Sequence, residues 1–395
     1  MKHIRMFESA EQAAAILPTL EYNTLSAIRG ESGIALKPGV VPPPPDPKTI
    51  PFYIDVRGPV TLAATSGLQM STDGKTWTDT TAMTLSSGKT YFRVASDQTS
   101  PLKPVWSEKS NSDYDIGGNI NSLVKTSFEN VTTCYVFYTS TGSYGGFFYG
   151  KSKLKSAGNL ILPATTLVKS CYQGMFQQCT SLTTAPTILP ATTLAQDCYN
   201  QMFYRCTSLS TAPELPAMTL ARNCYGSMFY QCTSLVTAPA LPATTMVERD
   251  CYNSMFYGCT SLTTAPALPA TKLVSNCYMG MFNRCTSLAI APELPATTLA
   301  NYCYSSMFNG CTSLTTAPVL PAPTLADSCY SSMFNGCTNL NYIKCLATNK
   351  SASNCTGNWV SNVAASGTFV KNSSMTGWTT DANGIPSGWT VQDAS

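Results

Sequence analysis

Between residues 171 and 345 the apolar positions recur with a period of 26 or 27 residues. Each unit opens Cys-Tyr-x-x-Met-Phe-x-x-Cys-Thr-(Ser or Asn)-Leu and usually continues Thr-Ala-Pro-x-Leu-Pro-Ala-x-Thr-Leu. The seven units begin at Cys171, Cys198, Cys224, Cys251, Cys277, Cys303 and Cys329, and the two extra residues fall near Ile188 and near Glu248, in connections. Insertions confined to connections are what a solenoid tolerates. Tyr172, Met175, Phe176 and Cys179 stand at i, i+3, i+4 and i+7, which predicts one buried face of a short helical turn. The prolines within residues 182–186 and 189–194 exclude helix interiors there and predict short extended pieces separated by a turn. One unit therefore reads as strand, turn, extended piece and helical turn, and the fold class as an α+β repeat solenoid.

A single unit cannot bury its Met, Phe and Leu by itself, so each must stack on the next at a strand spacing of ~4.8 Å. Open ends of such a stack need covers. Residues 147–154 imitate the Met-Phe-x-x-Cys-Thr-Ser-Leu line but carry Lys151 where the second cysteine belongs, as a capping unit should. After residues 342–346, which keep a strand, the period fades into a second cap over 346–395. Upstream, residues 8–17 read as a short helix and the proline run 42–45 as a stiff spacer. Residues 51–96 contain short β-type segments, with Asp73-Gly74 turning between 68–71 and 76–78 and a last strand near 90–94. The expected organisation is a docking segment (1–40), a Pro-rich linker (41–50), a small β-sandwich-like module (51–98), a connector with N-terminal cap (99–150), the solenoid (151–345) and a C-terminal cap (346–395).

Composition narrows the functions available. Only 11% of residues are charged, the formal net charge is +3, and no basic block is long enough to neutralise a run of phosphates, so nucleic acid is not an expected partner. No window supplies the ~20 consecutive apolar residues of a spanning helix, and no membrane insertion is expected. Glu8 and Glu11 interrupt what would have to be an apolar signal core, which disfavours a classical export signal. The single histidine, His3, lies near the N-terminus and reads as solvated, which removes the commonest acid/base residue.

Seventeen cysteines would suggest a disulfide framework, yet fourteen occupy two fixed places of the repeat: Cys171, Cys198, Cys224, Cys251, Cys277, Cys303 and Cys329, and Cys179, Cys206, Cys232, Cys259, Cys285, Cys311 and Cys337. On a helical turn the two of one unit would lie about 12 Å apart, beyond disulfide reach, so they read as core thiols. No Cys-x-x-Cys occurs, and neither a metal nor any other cofactor is expected. The Tyr and Met-Phe columns read as core. The changing pairs between Met-Phe and Cys are predicted to point outward: Gln177-Gln178, Tyr204-Arg205, Tyr230-Gln231, Tyr257-Gly258, Asn283-Arg284, Asn309-Gly310 and Asn335-Gly336. In that row Tyr204, Tyr230 and Tyr257, with the neighbouring amides and guanidinium groups, offer ring faces and hydrogen bonds suited to sugar rings or a protein partner. Thr-Thr pairs such as Thr183-Thr184 and Thr297-Thr298 could order water in ladders, but Lys272 and Ala289-Ile290 interrupt them, and threonine is in any case a good strand residue. The carboxylates Asp197, Glu214, Glu248, Asp250, Glu293 and Asp327 are scattered and form no glycosidase-type pair, and no phosphate loop or nucleophile elbow is present, so no enzyme is expected.

The recurring Cys-Tyr-x-x-Met-Phe-x-x-Cys-Thr-Ser-Leu line over about residues 150–345 resembles BspA-type leucine-rich repeats, found in surface proteins of gut anaerobes and in proteins of their phages. Residues 367–372 and 384–391 are similar to the tail that often closes such arrays. The resemblance implies a curved, right-handed solenoid used for adhesion. With no export signal read, the expectation is a virion protein assembled in the host cytoplasm. It would dock on other virion proteins through residues 1–40, with possible homo-oligomerisation there, and hold the solenoid towards a host-surface glycan or protein. A bacterial surface adhesin is the alternative.

Overall fold

The structure, a computed structural model, describes residues 46–106, 112–138, 145–245 and 248–394. The expected docking segment, the helix over 8–17 and the proline run 42–45 lie outside the described residues. Residues 47–395 form one compact unit.

The helical turn expected in each repeat does not form. Among the described residues there is no α-helix; the regular elements are short strands and two 3₁₀ turns, Pro47–Thr49 and Ile120–Leu123. In the unit that starts at Cys198, alternate backbone N–H groups close overlapping β-turns: Cys198 to Ala195 (3.2 Å), Asn200 to Asp197 (3.2 Å), Met202 to Tyr199 (3.1 Å), Tyr204 to Gln201 (3.1 Å) and Cys206 to Phe203 (3.0 Å). The intervening N–H groups donate to the next coil: Tyr199 to Cys224 (3.1 Å), Gln201 to Gly226 (2.9 Å), Phe203 to Met228 (2.9 Å) and Arg205 to Tyr230 (2.7 Å). What breaks the helix is a left-handed residue at every fourth position, here Asp197 (φ 58°), Gln201 (φ 56°) and Arg205 (φ 60°), repeated in the other units. A right-handed helix needs negative φ throughout, and each reversal instead turns alternate N–H groups along the stack axis. The i, i+3, i+4, i+7 spacing survives because a four-residue turn returns side chains to one side almost as a 3.6-residue helix does.

The other two sides of each coil are extended. Threonines form single parallel bridges from coil to coil, Thr184 to Thr211, Thr237, Thr264 and Ile290 along one side, and Thr166 to Thr193 and Thr219 along another. Inside run continuous columns. Tyr172, Tyr199, Tyr225, Tyr252, Tyr278, Tyr304 and Tyr330 stack with ring centroids 5.7–6.1 Å apart. Phe176, Phe203, Phe229, Phe256, Phe282, Phe308 and Phe334 stack beside them at 5.3–5.8 Å. These rings and the Met and Leu columns are buried, so each coil is covered by its neighbours.

At the N-terminal end the columns continue without a break. Phe137 stacks on Tyr172 at 5.7 Å, Phe148 on Phe176 at 5.4 Å, and Phe52 on Phe148 at 5.9 Å. Around Phe52 lie strands β1 (Tyr53–Val56), β2 (Val60–Ala63), β3 (Leu68–Ser71), β4 (Thr78–Asp79), β5 (Met83–Leu85), β6 (Gly88–Val94), β7 (Val105–Trp106), β8 (Tyr114–Asn119) and β9 (Leu154–Ile161). They form a six-stranded sheet in the order β4-β3-β6-β1-β8-β9 and a three-stranded sheet β5-β2-β7. The Asp73-Gly74 turn joins β3 to β4, held by the Asp73 carboxylate, which accepts from the N–H groups of Lys75 (2.8 Å) and Thr76 (2.7 Å). β8 pairs parallel with β9, and Ser156 of β9 bridges Thr184 of the first repeat. The β-rich segment and the solenoid thus share one sheet and one core. Lys151, in the place of a second cysteine, donates to the Trp106 carbonyl at 3.1 Å and sits over the Trp106 ring at 4.5 Å.

At the C-terminal end the period runs on for one coil more than expected. Asn354, Asn358 and Asn362 repeat the left-handed places (φ 51°, 51° and 58°). Trp359 fills the methionine place, stacking on Tyr330 at 6.2 Å and donating its indole N–H to the Gly384 carbonyl at 2.8 Å. Strands β10 (Tyr342–Cys345), β11 (Thr368–Lys371) and β12 (Thr390–Asp393) then close this end as a parallel sheet.

Candidate ligand-binding face

Every variable pair between Met-Phe and Cys lies on the turn side of its coil, where one residue of the pair is left-handed. That place holds Gln178 (φ 60°), Arg205 (φ 60°), Gln231 (φ 55°), Gly258 (φ 69°), Arg284 (φ 60°), Gly310 (φ 73°) and Gly336 (φ 77°). Arg205 and Arg284 are exposed; Gln178, Tyr204, Tyr230, Gln231, Tyr257, Asn283, Asn309 and Asn335 are half-buried. Gln177, expected to point outward with the others, is instead buried. The row extends into the N-terminal cap, where the Tyr149 hydroxyl donates to the Gln178 side-chain oxygen at 3.0 Å.

The three tyrosines close their facing ring surfaces on one another. Tyr204 and Tyr230 are parallel with centroids 4.7 Å apart, and Tyr230 and Tyr257 follow at 4.4 Å. No sugar ring fits between faces at that separation. Two cations flank the stack: the Arg205 guanidinium lies 5.4 Å from the Tyr204 centroid and that of Arg284 6.0 Å from Tyr257. Arg205 also donates its Nε–H to the Gln231 side-chain oxygen at 2.9 Å, linking adjacent coils. What the row presents is a hydrogen-bonding rim of ring edges, phenol groups and amides, flanked by two guanidinium groups.

All seventeen cysteines are free and buried. The second thiol of each repeat has a definite partner, the carbonyl of the phenylalanine in the preceding coil: Cys206 to Phe176 (3.0 Å), Cys232 to Phe203 (3.1 Å), Cys259 to Phe229 (3.1 Å), Cys285 to Phe256 (3.1 Å), Cys311 to Phe282 (3.1 Å) and Cys337 to Phe308 (3.0 Å). The column ends on the cap, where Cys179 donates to Phe148 at 3.1 Å. Burial pushes the thiols of Cys337 and Cys198 up to about 12. A thiol so protonated is a poor nucleophile. Among the described residues no group of three or more His, Cys, Asp or Glu could hold a metal ion, and no helix is long and apolar enough to cross a membrane.

Sequence reasoning found the row but missed the mutual stacking of its rings, which depends on the coil spacing. It also missed a cavity of about 210 Å³ on a threonine side of the stack, lined by residues 289–291 and 315–318 beside the protruding Ile290. The Ala289-Ile290 break in the threonine ladder was its only signal.

Invariant interior columns, isolated bridges on two sides and a turn ladder on the third define a leucine-rich-repeat solenoid. The family profile described as BspA type leucine rich repeat region matches in 6 copies over residues 106–236, 136–263 and 249–356, more than half of the chain, and the chain belongs to that family. Among solved structures, a leucine-rich repeat protein from Bacteroides ovatus is similar over 72% of this chain and 88% of its own, with 12% identity and a TM-score of 0.29. No curated protein matches the chain.

Proposed function

We propose that this chain is a binding protein that displays its solenoid to a host-surface glycan or protein from a phage particle, as a fibre or decoration component. The observation that carries the binding part is the division of labour within the repeat. Its interior letters are fixed from coil to coil, while the pair between Met-Phe and Cys changes and presents a strip of aromatic, amide and guanidinium groups. Such a strip suits recognition, and many weak contacts multiplied over coils and copies give avidity. The buried thiols and scattered carboxylates supply no reactive group to go with it, which favours binding over catalysis. The segment order supports the particle part: an N-terminal stretch, a proline spacer and a closed repeat body follow one another as in a particle-mounted adhesin.

Quantitative mass spectrometry on density-purified phage particles and on the envelope fraction of uninfected cells tests the placement. Stoichiometric recovery with the particles is the expected result. Recovery in the envelope alone replaces the virion reading with that of a bacterial surface adhesin.

A further inference from the structure

We infer that the ligand of the variable strip is an acidic polysaccharide, bound along the solenoid axis between Arg205 and Arg284; this rests on the strip being the binding face. The charge distribution points there first. Residues 173–181 and their counterparts in the other six repeats contain two charged side chains, Arg205 and Arg284, and no carboxylate. The acidic residues of the array, such as Asp197 and Glu214, all fall outside this segment. Neither guanidinium pairs with a carboxylate among the described residues, although both are exposed. With the Nε–H of Arg205 on Gln231, the terminal N–H groups of the two exposed guanidinium groups are left for an incoming anion.

The stack between them sets the kind of anion. Arg205 and Arg284 belong to coils three steps apart, which at a strand spacing of ~4.8 Å separates them by about 14 Å. Tyr204, Tyr230 and Tyr257 occupy that interval with their facing surfaces closed by stacking, so no base or sugar can lie flat between them. They act by their edges and hydroxyls, beside the Gln231 amide. A ligand matching the strip has anionic groups spaced well apart and hydroxyls between them. A polysaccharide carrying carboxylates on some of its sugars has this pattern. A nucleic acid, with a charge on every unit and bases that need open faces, does not.

The test uses the full chain with alginate, polygalacturonate, neutral dextran and dextran sulfate as probes, by affinity electrophoresis and calorimetry at low and at 0.3 M salt, alongside adsorption of the labelled chain to host cells. The expected result is binding of the carboxylated polymers, weakened by salt. The R205Q/R284Q variant should lose about tenfold or more in affinity, as befits loss of charge-assisted hydrogen bonds, with an unchanged melting temperature. A Y230S variant, which opens the middle of the stack, should weaken the same ligands. Equal binding of dextran, preference for dextran sulfate alone, or undiminished binding by R205Q/R284Q would overturn the inference. If that variant still adsorbs to cells as the parent does, the anionic reading fails while display of a binding face stands. If the parent chain adsorbs to no host cell, both fall.

Discussion

At the scale of the residue, the repeat is governed by the sign of φ at every fourth position. Ser306, at φ 54°, shows what this demands. In a helix, serine to alanine would help and serine to glycine would cost roughly 0.5 kcal/mol or less. In the turn ladder the order inverts, because alanine at positive φ is strained and glycine is not. Ser306→Gly should therefore raise stability by up to about 1 kcal/mol and Ser306→Ala lower it, read as shifts of the denaturation midpoint. The opposite order would restore the helical turn. This feature was legible in principle. The left-handed places in the repeats hold only Gly, Ser, Asn, Asp, Gln, Arg and one Tyr, with no β-branched residue. The pattern of the apolar letters concealed it, since Tyr172, Met175, Phe176 and Cys179 satisfy a helix and a chain of four-residue turns equally. The buried identity of those residues could be read from the apolar letters; the backbone that carries them left its trace only in the residues of the left-handed places.

At the scale of the element, the second cysteine column explains itself through its acceptor. The Phe229 carbonyl takes the Cys259 backbone-independent thiol hydrogen at 3.1 Å in addition to the backbone N–H of Cys232 at 3.0 Å, so the thiol saturates an oxygen that faces the next coil. Because the folded coils hold these groups protonated, the column links stability to pH. For each raised thiol the stabilisation is complete below the unfolded-chain pKa near 8.5 and is lost as pH climbs towards the folded value, about 12 for Cys337 of this column and likewise for Cys277 and Cys329 of the first. Each ionisable thiol then removes about 1.4 kcal/mol per pH unit. With so many in one cooperative stack, unfolding should occur within about one to two units above pH 8.5, detected by circular dichroism and by a simultaneous burst of thiol reactivity. Gradual, one-by-one thiol reactivity in a chain still folded at pH 11 would contradict this. The extended sides were legible from their prolines and threonines, but the coils join there through isolated bridges rather than strands.

At the scale of the whole molecule, the question is whether the stack needs a partner to close it. Both ends of the aromatic columns are covered from within the chain, by Phe52 below Phe148 and by Trp359 with Trp378 at 5.5 Å above Tyr330. The last strand, β12, is four residues long and exposed throughout, and its Asp393 pairs with Lys371 of β11. A short charged edge resists further pairing. The β-rich segment before the array cannot serve as a separate association domain, since its strands β1 and β8 run through β9 into the first coil. Its small-module appearance in the sequence came from turn signals, and nothing local revealed that its sheet would continue into the solenoid. Association should therefore reside in residues 1–45. Removing them is expected to leave a monomer by light scattering, with the melting temperature of the parent, because residues 47–395 form a compact unit of their own. A truncated chain that remains a trimer would place the oligomer contact on the solenoid and require that its capped ends or its outer strip be read as an interface between copies.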